Sequence, residues 1–451
     1  MLTRRKLALL SGAAATSALL FAAALPGSAL AQQKTVIDFW HGLPQPLGGQ
    51  LEQIAKDFND SQQAVQVNAS YKGSYPETMQ AAIAAFRAGN APHIVQMFEV
   101  GTATMMAAGP AVKPVYQLMQ ETGAAFDADA YIPAVKGYYS SKDGKMMALP
   151  FNSSSTIMFY NKDAFQKAGL DPNKPPATWP EMIEATKKLK ASGSTCPLTT
   201  SWPVWAQFEQ LGAIHNTPFA SQANGFGGLN AELKIDAPLY VKHVQTLIDM
   251  QKDGLFKYGG RDNKPDALFP SGECAMIHAS SGLRSRILKE ATFAWGAAPL
   301  PYWPEFAKDG PKNSIIGGAA FWVMTSPKRT PAEYKAVSQF FSYLARPEVD
   351  AKWHMDTGYV PVTMKGFELA KAQGYYEKNP GADVPAAQLT RTPTTENSMG
   401  LRLGNLPEIR NIIQEELEKA FQGQQDAKQA LDASIKRGNT VLRNFERANK
   451  G

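Results

Sequence analysis

The chain has 451 residues, two cysteines, and 46 Lys+Arg against 40 Asp+Glu. A chain of this length buries a large core and usually divides into two domains or lobes. Setting aside Arg4, Arg5 and Lys6 of an apparent leader leaves 43 basic against 40 acidic residues. That balance, without a dense Lys/Arg run, argues against a nucleic-acid partner.

Residues 1–31 read as a cleaved signal peptide. Three cations precede an apolar stretch from Leu7 to Leu25, and Ala29-Leu30-Ala31 has the small-x-small form of a cleavage site. "TRRKLALL" carries part of a twin-arginine pattern, so Sec and twin-arginine export both stand. Elsewhere no run reaches about 18 consecutive apolar residues, the length of a membrane span. The expected location is the periplasm.

"KTVIDFWH" predicts a first strand, and Leu47, Leu51, Ile54 and Phe58 space a helix from Leu47 to about Asn59. "VQVNASY" follows as a strand. The helix in "PETMQAAIAAFRAGN" is expected to bury Met79, Ile83 and Phe86 and to stop at Gly89-Asn90. "HIVQMFEV" has the near-continuous apolar character of a strand buried on both faces. Strand and helix alternating at this pace give an α/β layer with a parallel sheet. Ligands on such sheets bind beyond the strands' C-terminal ends, here Trp40-His41, Tyr71 to Tyr75, and Glu99.

"ALPFNSSSTIMFYNKDAF" reads as a crossover rather than a hairpin, and "TWPE" as a capping box with Thr178 and Glu181. "CPLTTSWPVWAQFEQLG" gives a strand, a turn with Trp202 and Trp205, and a helix. "CAMIHASSGLRSRILKEA" repeats that logic, its strand ending at Ala279 and a helix beginning at Ser280-Ser281-Gly282. Cys196 and Cys274 lie at these strands without metal-ligand spacing; a disulfide and two buried thiols are both open readings. "NSIIGGAAFWVM" is a further buried strand whose Gly317-Gly318 allow close backbone approach. The last hundred residues are mostly helical.

One of those helices opens at "LPEIR". Its apolar row is Ile409, Ile412, Ile413, Leu417, Ala420 and Phe421, yet Arg410 sits in the first turn, where the helix dipole favours anions. A solvated arginine near Gln414 is the plain reading. The sharper one is that Arg410 and the free helix amides face a bound anion.

No Walker A loop, G-x-G-x-x-G, G-x-S-x-G, H-E-x-x-H or C-x-x-C motif occurs, and the six histidines are scattered. Binding is therefore favoured over catalysis, with no metal or cofactor expected. Tyr75, Trp202, Trp205 and Tyr359 fall at loops or turns, and any one of them taken alone reads first as a core or rim aromatic. Glu99 and Ser280 are each readable as caps. Together, hydroxyls, a glycine pair and an arginine at helix starts suit a phosphate, which needs several donors and a cation. Glu99 would repel that phosphate and suits hydroxyls at the ligand's other end.

"AAFRAGNAPHIVQMFEVGTATMMA", "PFNSSSTIMFYNKDAFQKAGLDP", "SIIGGAAFWVM", "DTGYVPVT" and "PTTENSMGLRLGNLPEIR" resemble the periplasmic sn-glycerol-3-phosphate-binding proteins of bacterial ABC importers. The likeness runs over the whole mature chain. "FYNKDAF" and "GECAM" belong more widely to maltose-binding-like receptors and do not specify the ligand. The resemblance implies two α/β lobes joined by hinge strands around a central cleft. It suggests an N-terminal lobe of residues 32–148 and 301–343 and a C-terminal lobe of 149–300 and 344–451. It also implies a ligand set of Tyr75, Glu99, Ser154, Ser280, Gly318, Tyr359 and Arg410, with Trp202 and Trp205 against a glycerol moiety and Arg410 on the phosphate. The expected ligands are sn-glycerol 3-phosphate and glycerophosphodiesters such as glycerophosphocholine. The expected partners are an inner-membrane permease and its ATPase subunits, with the receptor itself a monomer. "WHGLPQPLGGQ" departs from the family's usual opening helix and leaves the rim near Trp40 and His41 undetermined. A sugar receptor and an exported glycerophosphodiesterase are the competing readings.

Overall fold

Alternation places Ile37, Phe39 and His41 of the first strand inside and leaves Val36 in solvent. The computed structural model describes residues 34–450, so the expected signal peptide at 1–31 lies outside the described residues. Strand β1 (Thr35–His41) pairs in parallel with β2 (Val65–Tyr71) and β3 (Ile94–Phe98), with helices Leu47–Asp60 and Tyr75–Arg87 between them. All five residues of β3 are buried. Short β4 (Val112–Lys113) and β5 (Leu149–Ser154) complete this part of the sheet.

The helix Tyr75–Arg87 differs from expectation in which face it buries. Thr78, Met79 and Ala82 pack inward, Ile83 is half-buried and Phe86 is 37% exposed. The small residues of the inward row let the helix sit close to the sheet, which turns Phe86 outward.

After Ser154 the chain passes into a second sheet. Its strands are β6 (Thr156–Asn161), β7 (Leu198–Thr200), β8 (Phe256–Lys257), β9 (Met276–Ser280) and β10 (Trp295–Ala298), in the order β10-β6-β9-β7-β8. β11 (Gly317–Met324) returns to the first sheet, antiparallel to β3 and β5. The sequence placed the first passage near Leu149; here β5 stays with the first sheet to Ser154 before the chain crosses at Ser155. Ser155 Oγ lies 2.9 Å from Ser314 Oγ and accepts from Gln388 Nε2 at 3.0 Å. Three segments remote in sequence are thus tied together where the chain passes between sheets.

The architecture is mixed α/β, one lobe built on each sheet. The expected box at Thr178 and Glu181 caps helix Trp179–Ala191 in both directions. Cys196 and Cys274 form a disulfide, which staples the approaches to β7 and β9. Among the described residues no helix is long and apolar enough to cross a membrane, and no cluster of His, Cys, Asp and Glu suits a metal ion.

All six histidines are pushed below their ordinary range, chiefly by burial: His215 and His354 to about 4, His278 to about 3, and His41, His93 and His243 also downward. A buried neutral histidine contributes stability that is complete above pH 6.5 and is lost as the pH falls towards 4. Burial raises Asp266 and Asp350 from 3.8 to about 6, and their contribution runs the other way: complete below 3.8 and lost as the pH rises through 6. Burial also raises Glu99 and Asp262; the six histidines still outnumber these four carboxyls, so the unfolded chain takes up more protons near pH 5. Urea unfolding should show stability falling by on the order of 2–3 kcal/mol per pH unit around pH 5. Equal stability at pH 7 and pH 5 would show that the histidines do not stay neutral in the fold.

Candidate functional site

The parallel strands aim their C-terminal ends at one cleft, the usual place for a ligand in such sheets. From the first lobe come the loop Gly42–Leu47 after β1, Tyr75 at the start of its helix, and Glu99 directly after β3. From the second come Trp202 and Trp205 after β7, Ser280 ending β9, and Arg410 in helix Leu406–Phe421. Ser154 ends β5 and Gly318 lies in β11, next to the passage between the sheets. Tyr359 lies in the loop after helix Pro347–Thr357. All nine residues expected from sequence line one cavity, which opens onto about 930 Å³ of space free of protein atoms.

Arg410 occupies the centre of this site with partners that the sequence reading did not anticipate. Its Nε and Nη2 donate to the two oxygens of Glu209 at 2.7 Å each, and Nη2 also donates to Glu99 Oε1 at 2.7 Å. Arg410, Glu99 and Glu209 are all buried. Burial alone would disfavour the charged guanidinium, but the two glutamates raise its pKa and hold it protonated. Glu99 is itself shifted upward by burial, with Arg410 opposing. No other residue of the first turn, Leu406 to Ile409, lines the cavity, so the helix amides do not share in the site.

This corrects two expectations. Arg410 is not a solvated residue beside Gln414. Nor do Glu99 and Arg410 stand at opposite ends of a ligand, since they are hydrogen-bonded to each other. The cation at the helix start is explained by two carboxylates far away in sequence.

Hydroxyl groups form a further part of the wall, contributed by Tyr75, Ser154, Ser280 and Tyr359. Gly42 N donates to Gln96 Oε1 at 2.9 Å, Gln96 Nε2 to Asn152 Oδ1 at 2.8 Å, and Asn152 Nδ2 to the Tyr75 hydroxyl at 2.8 Å. The relay makes the Tyr75 hydroxyl an acceptor from Asn152, with the Tyr359 hydroxyl beside it. Burial raises both Tyr75 and Tyr359, the latter to about 12, so both phenols are neutral donors. Ser280 Oγ accepts from Gly282 N at 3.2 Å, capping the turn that follows β9. Gly318 has φ +93, and a Cβ there would meet Asn152 O at 1.8 Å, so β11 can pass this close only with glycine.

Local strain positions the two tryptophans. Trp202 adopts φ 48, a left-handed conformation unfavourable for a bulky residue, and its N–H donates to Asp262 O at 2.8 Å. Trp205 opens a π-helical turn, Trp205–Glu209, whose wider turn carries both an aromatic ring and the carboxylate for Arg410. The Trp205 ring packs on Gly317, where a Cβ would lie 2.2 Å from it.

Sequence reasoning missed Glu209, the loop Gly42–Leu47, Asp266 and Arg286, all at or beside the cavity. The signal for Glu209 was present: an acid within "WAQFEQLGAI", a helix buried along its whole length.

A family model described as bacterial extracellular solute-binding protein matches residues 53–382. The chain is 47% identical over 424 residues to the sn-glycerol-3-phosphate-binding periplasmic protein UgpB of Yersinia pseudotuberculosis, covering 94% of this chain and 96% of that one. It is 46% identical to UgpB of Escherichia coli K12, covering 96% and 98%. Among solved structures, UgpB of Mycobacterium tuberculosis in complex with glycerophosphocholine superposes with a TM-score of 0.75 at 23% identity, over 91% of this chain and 99% of that one. The GacH receptor of Streptomyces glaucescens, solved unliganded and with acarbose, gives 0.75 at 16% identity over 92% and 100%. At such identities the structural likeness speaks for the fold.

Replacing Arg410 by alanine leaves two carboxylates buried without a cation. Arg410→Ala should lower unfolding stability by about 3–5 kcal/mol, and adding Glu209→Gln should recover part of the loss by removing one of the stranded charges. Denaturant titration of the three proteins measures this; a loss of about 0.5 kcal/mol or less would return Arg410 to the status of a surface residue.

Proposed function

The chain belongs to the bacterial extracellular solute-binding proteins, and we propose that its cleft captures sn-glycerol 3-phosphate and glycerophosphodiesters by reading the glycerol and the phosphate at separate ends. It is the periplasmic substrate-binding component of an ABC importer rather than an enzyme, and it delivers ligand to the membrane permease and its ATPase. The observation that carries the ligand assignment is the convergence of Tyr75, Glu99, Ser154, Trp202, Trp205, Ser280, Gly318, Tyr359 and Arg410 on one cavity, in a chain 46–47% identical to proteins named for that ligand.

The electrostatics assign the ends. One guanidinium facing two carboxylates is a poor host for a phosphate, which adds further negative charge. The same group is a good host for a diol: Glu99 accepts from hydroxyls, and Arg410 Nη1, which has no hydrogen bond among the described residues, donates to them. Trp202 and Trp205 flank that end with apolar faces for the carbon chain. The phosphate then falls to neutral donors, the hydroxyls of Ser154, Ser280, Tyr75 and Tyr359. On this reading Arg410 serves the glycerol end rather than the phosphate.

Binding by hydroxyls alone suits a phosphodiester as well as a monoester, because none of these donors requires a second negative charge. Glycerophosphocholine, bound by the Mycobacterium tuberculosis relative, is on this reading a ligand here.

Thermal unfolding with added ligand tests the proposal. Either phosphate compound at about 100 times its dissociation constant should stabilise the mature protein by roughly 2.7 kcal/mol, and maltose should not. Stabilisation by maltose with none from glycerol 3-phosphate or glycerophosphocholine would establish a sugar receptor instead.

A further inference from the structure

Of the charged side chains lining the cavity, three are already answered by the protein. Arg410 and Glu99 are paired with each other, and Arg286 donates to Glu290 Oε2 at 2.8 Å. Asp266 is the exception: it makes no salt bridge among the described residues. Its Oδ1 accepts from the buried Ser201 hydroxyl, while Oδ2 has no hydrogen-bond partner among the described residues. The next residue after Ser201 is Trp202, whose ring lies 6.1 Å from that of Tyr75. Across the cavity the loop Gly42–Leu47 supplies an apolar wall of Leu43, Pro44 and Pro46.

A carboxylate without a cationic partner, in a cavity also lined by the aromatic Tyr75, Trp202 and Tyr359 and the apolar Leu43, Pro44 and Pro46, is chemistry that binds a substituted ammonium. We propose that Asp266 is a specificity-determining residue that receives the cationic group of a glycerophosphodiester's second alcohol, favouring choline or ethanolamine diesters over those of neutral alcohols. This rests on the assignment of glycerophosphodiesters to the cleft. Burial raises the Asp266 carboxyl to about 6, consistent with a charge that the protein itself leaves largely uncompensated. The nearby Arg286 pulls in the opposite direction, but its own pairing with Glu290 turns part of its charge away. A zwitterionic diester would bring one positive charge to Asp266 and only one negative charge to the hydroxyl set.

Calorimetric titration with glycerophosphocholine, glycerophosphoglycerol and glycerol 3-phosphate tests the assignment on wild type and Asp266→Asn, a variant whose amide still accepts from Ser201. Wild type should bind the choline diester about tenfold more tightly than the glycerol diester. Asp266→Asn should abolish that difference while leaving the glycerol diester within about twofold. A wild-type protein that binds the two diesters alike overturns the proposal without any variant, and so does a variant that weakens both equally, since Asp266 would then be structural. Wild type binding none of the three compounds would refute the ligand class itself, a result distinct from loss of preference alone.

Discussion

Arg410 stands between two buried carboxylates, Glu209 from its own lobe and Glu99 from the other, each 2.7 Å away. In water such a group would be worth little; away from water, each member is costly unless the others are present. Much of the cleft is arranged around this condition. β3 ends where Glu99 must reach inward, the π-helical turn brings Glu209 to the same point, and helix Leu406–Phe421 gives up one position of its buried row to a cation. Because Glu99 comes from the first lobe, the charge group also couples the lobes. It is joined in this by Tyr138, whose hydroxyl donates to Leu401 O at 2.7 Å, and by Gln50, which bonds Asp356 O and Ser285 Oγ at 3.2 Å each.

The same group divides the cavity chemically. Its carboxylates exceed its cations, so the region near Arg410 favours polar, uncharged groups, and an anion is driven towards the hydroxyls. Those hydroxyls are held by neutral relays rather than by charges: the Gln96–Asn152–Tyr75 chain orients one phenol, and the Ser280 cap sets a second donor. Hydroxyls that lose little freedom on binding give affinity without demanding a particular phosphate charge.

Much of the fold was legible because its signals are local. Alternation marked β1, an unbroken apolar run marked β3, and the Thr178 and Glu181 box marked a helix start. Phe86 was misjudged because helical spacing identifies a row without saying how closely a sheet approaches it. The site was legible chiefly by resemblance: residues such as Gly318 and Tyr359 carry no chemistry of their own in sequence and acquire it only beside Asn152 and Tyr75. The partners of Arg410 were hidden for a related reason. An arginine without a carboxylate one turn away looks unpaired, but its partners lie 201 and 311 residues distant. Pairing at that range is a property of topology, and no window of sequence displays it.

A crystal structure of the mature protein with sn-glycerol 3-phosphate, refined with the phosphorus located by its anomalous signal, tests the central claim most directly. The phosphorus is expected among Ser154, Ser280, Tyr75 and Tyr359, with the glycerol hydroxyls on Glu99 and Arg410. Phosphorus seated against Arg410, with Glu99 or Glu209 displaced from the guanidinium, would contradict it.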